Sequence, residues 1–219
     1  MATRSAFHEQ LDNLQHDLLK MGALVSEAIE KAVESLATVN VDLARQVIAS
    51  DDTADQMLID IETRCLQLMA LQQPLASDLR TIGTALKIVT DLERMADHAT
   101  DIAKVTVRLS GQKLIKELVD IPQMARRVVT MTKEALEAYV ARDVERSKKM
   151  IAMDDEIDRI YSMVFDELMG IMQNRPETVR QATYLLMVAM YLERVGDHAT
   201  NLGEWTIYMV TGELKDMNQ

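Results

Sequence analysis

With 219 residues, a formal net charge of −11, 48% hydrophobic but only 4% aromatic residues, 7 Gly and 3 Pro, the chain has too few turn formers for an all-β fold and no basic surplus for gripping a phosphate backbone. Nucleic acid is therefore excluded as a general partner, and long helices are the natural reading. The lone Cys65 allows no disulfide within the chain and points to the reducing cytoplasm, while the absence of a signal-like start and of a run of about 20 apolar residues means that action at a membrane is expected only through a partner.

Leu11, Leu14, Leu18, Met21, Val25, Ala28 and Ala32 recur at three and four and predict a first helix. The pattern breaks near Thr38-Val39-Asn40-Val41-Asp42, where Asn40 or Asp42 suits an N-cap. A second helix then carries Val47, Ile48, Ala54, Leu58, Ile61, Cys65, Leu68 and Met69, and Gln72-Gln73-Pro74 ends it. Ser77 and Asp78 open a third helix that extends to the neighbourhood of Leu109, and Ser110-Gly111-Gln112-Lys113 is the linker to the second half. There Pro122 suits the first turn of a fourth helix, which ends near Ala141-Arg142-Asp143. A fifth helix is expected to run unbroken to Gln173, Asn174-Arg175-Pro176 breaks the chain, and Glu177-Thr178 begins the sixth. Residues Gly212 to Gln219 read as a frayed polar tail.

The halves are copies. Leu92-Glu93-Arg94-Met95-Ala96-Asp97-His98-Ala99-Thr100 returns as Leu192-Glu193-Arg194-Val195-Gly196-Asp197-His198-Ala199-Thr200. Asp51-Asp52-Thr53-Ala54-Asp55 returns as Asp154-Asp155-Glu156-Ile157-Asp158, Lys31 to Leu36 matches Glu134 to Tyr139, and Pro74 and Arg80 match Pro176 and Arg180. The offset drifts from 103 to 100 across the Pro-containing loop, as it does when loops differ in length and helices do not. The expected fold is all-α: six long helices of about 25–33 residues, arranged as two tandem antiparallel three-helix bundles, residues 1–110 and 111–219, related by a pseudo-twofold or repeat axis. The 16 Met residues, Met57, Met69, Met150, Met153 and Met163 among them, read as adaptable core filler.

Each doubled motif places acids at i and i+4, and the first adds Asp101 at i+8 where the second has Asn201. Successive members of such a row turn by about 40° around a helix, so their side chains can address one object. On the third helix Glu93 falls inside the arc of Ile82, Ala85, Leu86, Val89, Leu92 and Ala96, Asp97 at its edge and Asp101 outside it; Glu193 sits likewise among Leu185, Leu186, Ala189, Leu192 and Gly196. An unpaired carboxylate beside an apolar face is costly, and Glu93 has no basic residue at i±3 or i±4. The cation it needs is either a metal ion held by hard oxygen ligands or an Arg or Lys from another helix, with Asp97 and Asp197 pairing locally to Arg94 and Arg194 in the second case. Repetition of the row in both halves favours the metal.

The repeated acids Asp51, Asp52, Asp55, Asp154, Asp155 and Asp158 either supply charge near helix starts, their simplest role, or close the site from adjacent helices; in a continuous helix Asp55 and Asp158 lie a turn further on and face a partner. His98 and His198 project more than about 90° from the glutamates, which reads them as surface or partner-facing residues and separates the motif from the Glu-x-x-His pattern of di-iron bundles. Thr100 and Thr200 read as helix-surface residues. Neither a Gly-rich phosphate loop nor a Ser/Cys–His constellation is present.

The tandem layout, the segment Gln73-Pro74-Leu75-Ala76-Ser77-Asp78-Leu79-Arg80 and the doubled Leu-Glu-Arg-x-x-Asp motif, Leu92 to Asp97 and Leu192 to Asp197, together resemble the PhoU family of phosphate-uptake regulators, from about Phe7 to Gly212. The resemblance implies a cytoplasmic, all-helical, non-enzymatic accessory protein and negative regulator, a homodimer that docks to the ATPase subunit of a phosphate ABC transporter and to a phosphate-sensing membrane histidine kinase. It also implies multinuclear clusters of divalent or trivalent metal ions, iron or zinc first and magnesium or manganese next. Carried over, the ligands are Glu93, Asp97 and Asp101 in one half and Glu193, Asp197 and Asn201 in the other, with Asn201 weakening its site; Asp78 and Arg80 become partner contacts or caps. Two other readings stay open: a metal-free helical adaptor whose acids receive basic partner side chains, and a carboxylate-bridged metalloenzyme.

Overall fold

A computed structural model describes residues 2–72 and 74–213. In the first repeat α1 (Ala2–Thr38), α2 (Val41–Gln72) and α3 (Ala76–Arg108) run up and down; in the second, α4 (Asp120–Ala141), α5 (Val144–Ile151), α6 (Asp154–Asn174) and α7 (Val179–Thr211) repeat the course, with a 3-10 turn at Pro176–Thr178. No strand occurs among the described residues. The architecture is the all-α pair of three-helix bundles that the periodicity predicts. Of the expected tail only Gly212 and Glu213 are described, and Gln73 also lies outside the described residues.

Local chemistry sets the boundaries. Asn40, not Asp42, caps α2, its Oδ1 accepting from the Leu43 N–H at 3.0 Å. Arg142 takes the left-handed conformation at φ 54° and ends α4, and Asp143 then caps α5 by accepting from the Arg146 N–H. Gly212, at φ 77°, ends α7.

The fifth helix is not unbroken. Ala152 and Met153 interrupt it, so Asp154, Asp155 and Glu156 fall in the first turn of α6. Three adjacent acids are favoured there by the exposed N–H groups and the helix dipole, whereas mid-helix they only repel. Lengths also spread further than expected, from 37 residues in α1 to 8 in α5.

Every residue of the first predicted stripe is buried, and the buried apolar residues of both repeats form a single continuous core. Of the Met residues read as filler, Met21, Met95, Met124, Met131, Met150 and Met209 are buried and Met57, Met69, Met153 and Met172 pack half-buried against the core, whereas Met163 and Met169 are exposed.

The repeats meet where α3 packs antiparallel on α7. Asp91 faces His198, with its Oδ1 2.8 Å from Nδ1, and the equivalent contact with the repeats exchanged is His98 stacked on Tyr191 at 5.6 Å between centroids. This exchange defines a pseudo-twofold axis, near which the two His rings lie 5.8 Å apart. The histidines are thus half-buried between the repeats and not on the outer surface: projection along one helix gives the direction of a side chain but not the helix it meets. Farther along, Thr84 donates to the Trp205 carbonyl and Arg108 lies over Tyr184. The linker is tied down by Gln181 of α7, whose side-chain oxygen accepts from the Ile115 N–H and whose amide donates to the Lys113 carbonyl.

Because the core is shared, chemical denaturation is expected to show one transition for the whole chain. Leu92→Ala and Leu192→Ala, each emptying a fully buried position, are each expected to lower the unfolding free energy by about 2–5 kcal/mol with little change in the denaturant slope.

Candidate functional site

Leu92 and Leu192 anchor the two motif segments in the core, each fully buried. One residue further, a helix turns by about 100°, and the side chain arrives at the edge of the bundle. The Glu93 side chain is accordingly 16% exposed, against 39% for Asp97 and 37% for Asp101, so the row climbs outward from its first member.

The neighbouring helix supplies a second pair of acids. Burial pushes the Glu93 carboxyl upward from the ordinary range, the negative charges of Asp97, Asp55 and Asp51 push the same way, and Arg94 opposes them. Asp51 is raised by burial and by Asp97 and Asp55, against the hydrogen bond it accepts from Thr100 Oγ1 at 3.1 Å. The first repeat thus gathers Asp51 and Asp55 of α2 with Glu93 and Asp97 of α3.

The second repeat gathers Asp154 and Asp158 of α6 with Glu193 and Asp197 of α7. Asp154 is only 8% exposed, and its carboxyl is pushed up to about 7 by burial first and then by Asp158, Asp197, Glu193 and Asp155. Glu193 is raised by burial, Asp197 and Asp158, with Arg194 opposing. Two acid pairs at i and i+4, one on each of two packed helices, occur in both halves.

Asp101 and Asn201 stand apart from these groups. Asp101 accepts from Lys104 at 3.1 Å, while Asn201 Nδ2 donates to Asp91 at 3.2 Å across the junction between repeats. Neither is among the residues whose charge bears on Asp51, Glu93, Asp154 or Glu193. Thr100 and Thr200 are buried, not at the surface. Thr100 bonds Asp51, whereas Thr200 returns its proton to the Gly196 carbonyl of its own helix.

A cation already reaches the first group. The Arg94 guanidinium lies 3.5 Å from Glu93 and 3.1 Å from Asp97. In the second group Asp154 Oδ1 is buried without a hydrogen-bond partner. Gly196 makes room for it, because a Cβ there would lie 2.8 Å from that oxygen. Among the described residues no three His, Cys, Asp or Glu side chains are already closed into a ligand set. An unsatisfied buried carboxylate oxygen amid three further carboxylates nonetheless fits a hard cation, and the all-oxygen donor set suits magnesium, manganese or iron better than zinc, which prefers nitrogen and sulfur.

The family model of the PhoU domain matches twice, over residues 18–106 and 121–206. The chain belongs to the PhoU family. It is 42% identical over 217 residues to a phosphate-specific transport system accessory protein PhoU homolog of Clostridium acetobutylicum, covering 99% of each chain, and 40% identical to that of Aquifex aeolicus, covering 94% of this chain and 93% of the relative. The fold is similar to the crystal structure of the phosphate transport system regulatory protein PhoU from Streptococcus pneumoniae, with TM-score 0.90, 32% identity and coverage of 96% of this chain and 100% of the other. PhoU from Pseudomonas aeruginosa gives TM-score 0.90 at 33% identity, over 94% and 100% of the two chains. No helix among the described residues is long and apolar enough to cross a membrane.

The clustered acids make the fold pH-sensitive. A carboxyl whose folded pKa lies near 7 and whose ordinary value is 3.8 holds its proton in the folded protein where the unfolded chain has lost it. Stability therefore falls as pH rises from about 4 to 7 and levels off above. Asp154→Asn removes this contribution, so its melting temperature, without added metal, is expected to rise relative to the parent between pH 5 and pH 8, as read by circular dichroism melts at about pH 5 and pH 8.

Proposed function

We propose that this chain is a non-catalytic regulator of phosphate uptake and of the phosphate-starvation response, acting as the accessory protein of a phosphate-specific transport system. The observation that carries the reading is a four-carboxylate group built twice, at equivalent places, in a chain that matches accessory proteins of such systems along its length. Asp51, Asp55, Glu93 and Asp97 would hold cations in one repeat, and Asp154, Asp158, Glu193 and Asp197 in the other. Asp101 and Asn201 are at most outer supports, since Lys104 and Asp91 engage them.

A bound cation supplies positive charge that removes the repulsion among four acids on two packed helices. The protein's own groups do the rest: Leu92 and Leu192 set the depth of the rows, Thr100 orients Asp51, and Gly196 admits Asp154 to the face of α7. The exposed faces of the loaded bundles would dock to the transporter's ATPase subunit and to a membrane sensor kinase in the cytoplasm, the chain working as a homodimer. Such docking biases signalling only as far as it favours one state of the partner over another.

A second reading is supported by Arg94. A guanidinium seated on Glu93 and Asp97 shows the form in which a basic partner side chain would bind, and a metal-free adaptor would use both groups in that way.

Elemental analysis of protein purified without chelator separates the readings. The parent is expected to carry metal, and the pairs Glu93→Gln with Asp97→Asn and Glu193→Gln with Asp197→Asn are each expected to lose about half of it at unchanged helicity, since donor removal acts on the ion and not on the buried core. A parent that stays metal-free after loading with iron, manganese, magnesium or zinc leaves the adaptor.

A further inference from the structure

The two carboxylate groups are equivalent by sequence but not by surroundings, and the difference in hydrogen bonds and close ion pairs runs one way. In the first group Asp51 already accepts the Thr100 hydroxyl proton at 3.1 Å. Glu93 and Asp97 are both within ion-pair distance of Arg94. Three of its four carboxylates thus have a donor or a positive partner before any cation arrives.

The second group lacks the hydroxyl and holds its arginine at a distance: the charge of Arg194 bears on Glu193 and Asp197, but not within an ion pair. The equivalent hydroxyl, that of Thr200, is committed to the Gly196 carbonyl at 3.1 Å and does not turn to Asp154. Arg194 forms no ion pair with Glu193 or Asp197 among the described residues. Asp154, more than nine-tenths buried, has an oxygen with no hydrogen-bond partner. Its position is fixed by packing: Ala96 of the first repeat is replaced by Gly196, and the Asp154 oxygen occupies the room a methyl group would take. The interruption at Ala152 and Met153 lets Asp154 start a helix and turn inward, whereas Asp51 is held within continuous α2.

We infer that the carboxylate group of the second repeat, anchored by Asp154, is the high-affinity cation site of the chain, and that the group of the first repeat, masked by Thr100 and Arg94, fills after it. The inference rests on the cation reading proposed above and adds an order to it. A cation entering the second group gives the stranded Asp154 oxygen its first partner. One entering the first group must displace or share partners already present. A hydrogen bond to a charged group, together with the ion pairs, corresponds to an affinity difference of about tenfold or more.

The order reverses the expectation drawn from Asn201, under which the second site would be the weaker. Asn201 has no part in it because its amide is engaged with Asp91 of α3.

Calorimetric titration of the full chain with Mn²⁺ after chelator treatment, with electron paramagnetic resonance to count bound ions, tests this. The parent is expected to bind in two phases separated by about tenfold or more. Asp154→Asn is expected to abolish the tighter phase and Asp51→Asn the weaker. Arg94→Gln, which alters a side chain that is 57% exposed and so spares the fold, is expected to strengthen only the weaker phase and narrow the gap; Thr100→Val acts in the same direction. A single phase of equal sites, or loss of the tighter phase in Asp51→Asn, would overturn the order while leaving cation binding intact. A parent that takes up no Mn²⁺, iron or magnesium overturns the order and the cation reading together.

Discussion

Carboxylates held against an apolar face are the constraint around which this structure is arranged. Four acids per repeat stand where two helices pack, and the leucine preceding each glutamate lies in the core and prevents the row from rotating out to water. The helix cannot turn the acids away without exposing Leu92 or Leu192. The group therefore persists, and its repulsion has to be met by protons, by a guanidinium or by cations. Two of these remedies have a basis in the structure: burial and neighbouring charges favour the protonated form of Asp154, and Arg94 sits over Glu93 and Asp97.

The core shared between repeats makes this arrangement tolerable. Stability drawn from buried aliphatic residues and methionines spread along α3 and α7 is large compared with the electrostatic cost of the acid groups at their edge. Acid groups that repel one another can persist only on such a scaffold.

Much of this was legible in the order of residues. Stripes such as Leu11 to Ala32 report helical periodicity directly, and the duplicated segments made the two-bundle plan readable without any tertiary information. The acid rows on α3 and α7 were equally plain. What escaped was whatever depends on a second helix. The Asp51–Asp55 and Asp154–Asp158 pairs were readable as acids able to close the site from an adjacent helix, but only packing decides between that and a role at a helix start. Thr100 looked like a surface residue because nothing local announces a hydrogen bond to Asp51, and His98 looked exposed because its stacking partner lies in the other repeat. Arg94 was overlooked as a partner of Glu93 because a long side chain at i+1 can reach back, although the usual helix pairs are three and four apart. The interruption before Asp154 carries no Pro or Gly, so no breaker marked it.

The packing of α3 on α7 has the self-complementary form of an interface between identical subunits, each element meeting its counterpart across a twofold axis. Two identical chains would be bound to place the same residue on both sides of that axis. A single covalent chain is free of that rule, and here the freedom has been used: Asp91 faces His198 on one side, while its counterpart Tyr191 stacks on His98 on the other. Joining the halves end to end thus turned a symmetric pair into a heterodimer within one polypeptide, in which each half can specialise without a second gene and the two are always present in equal amounts.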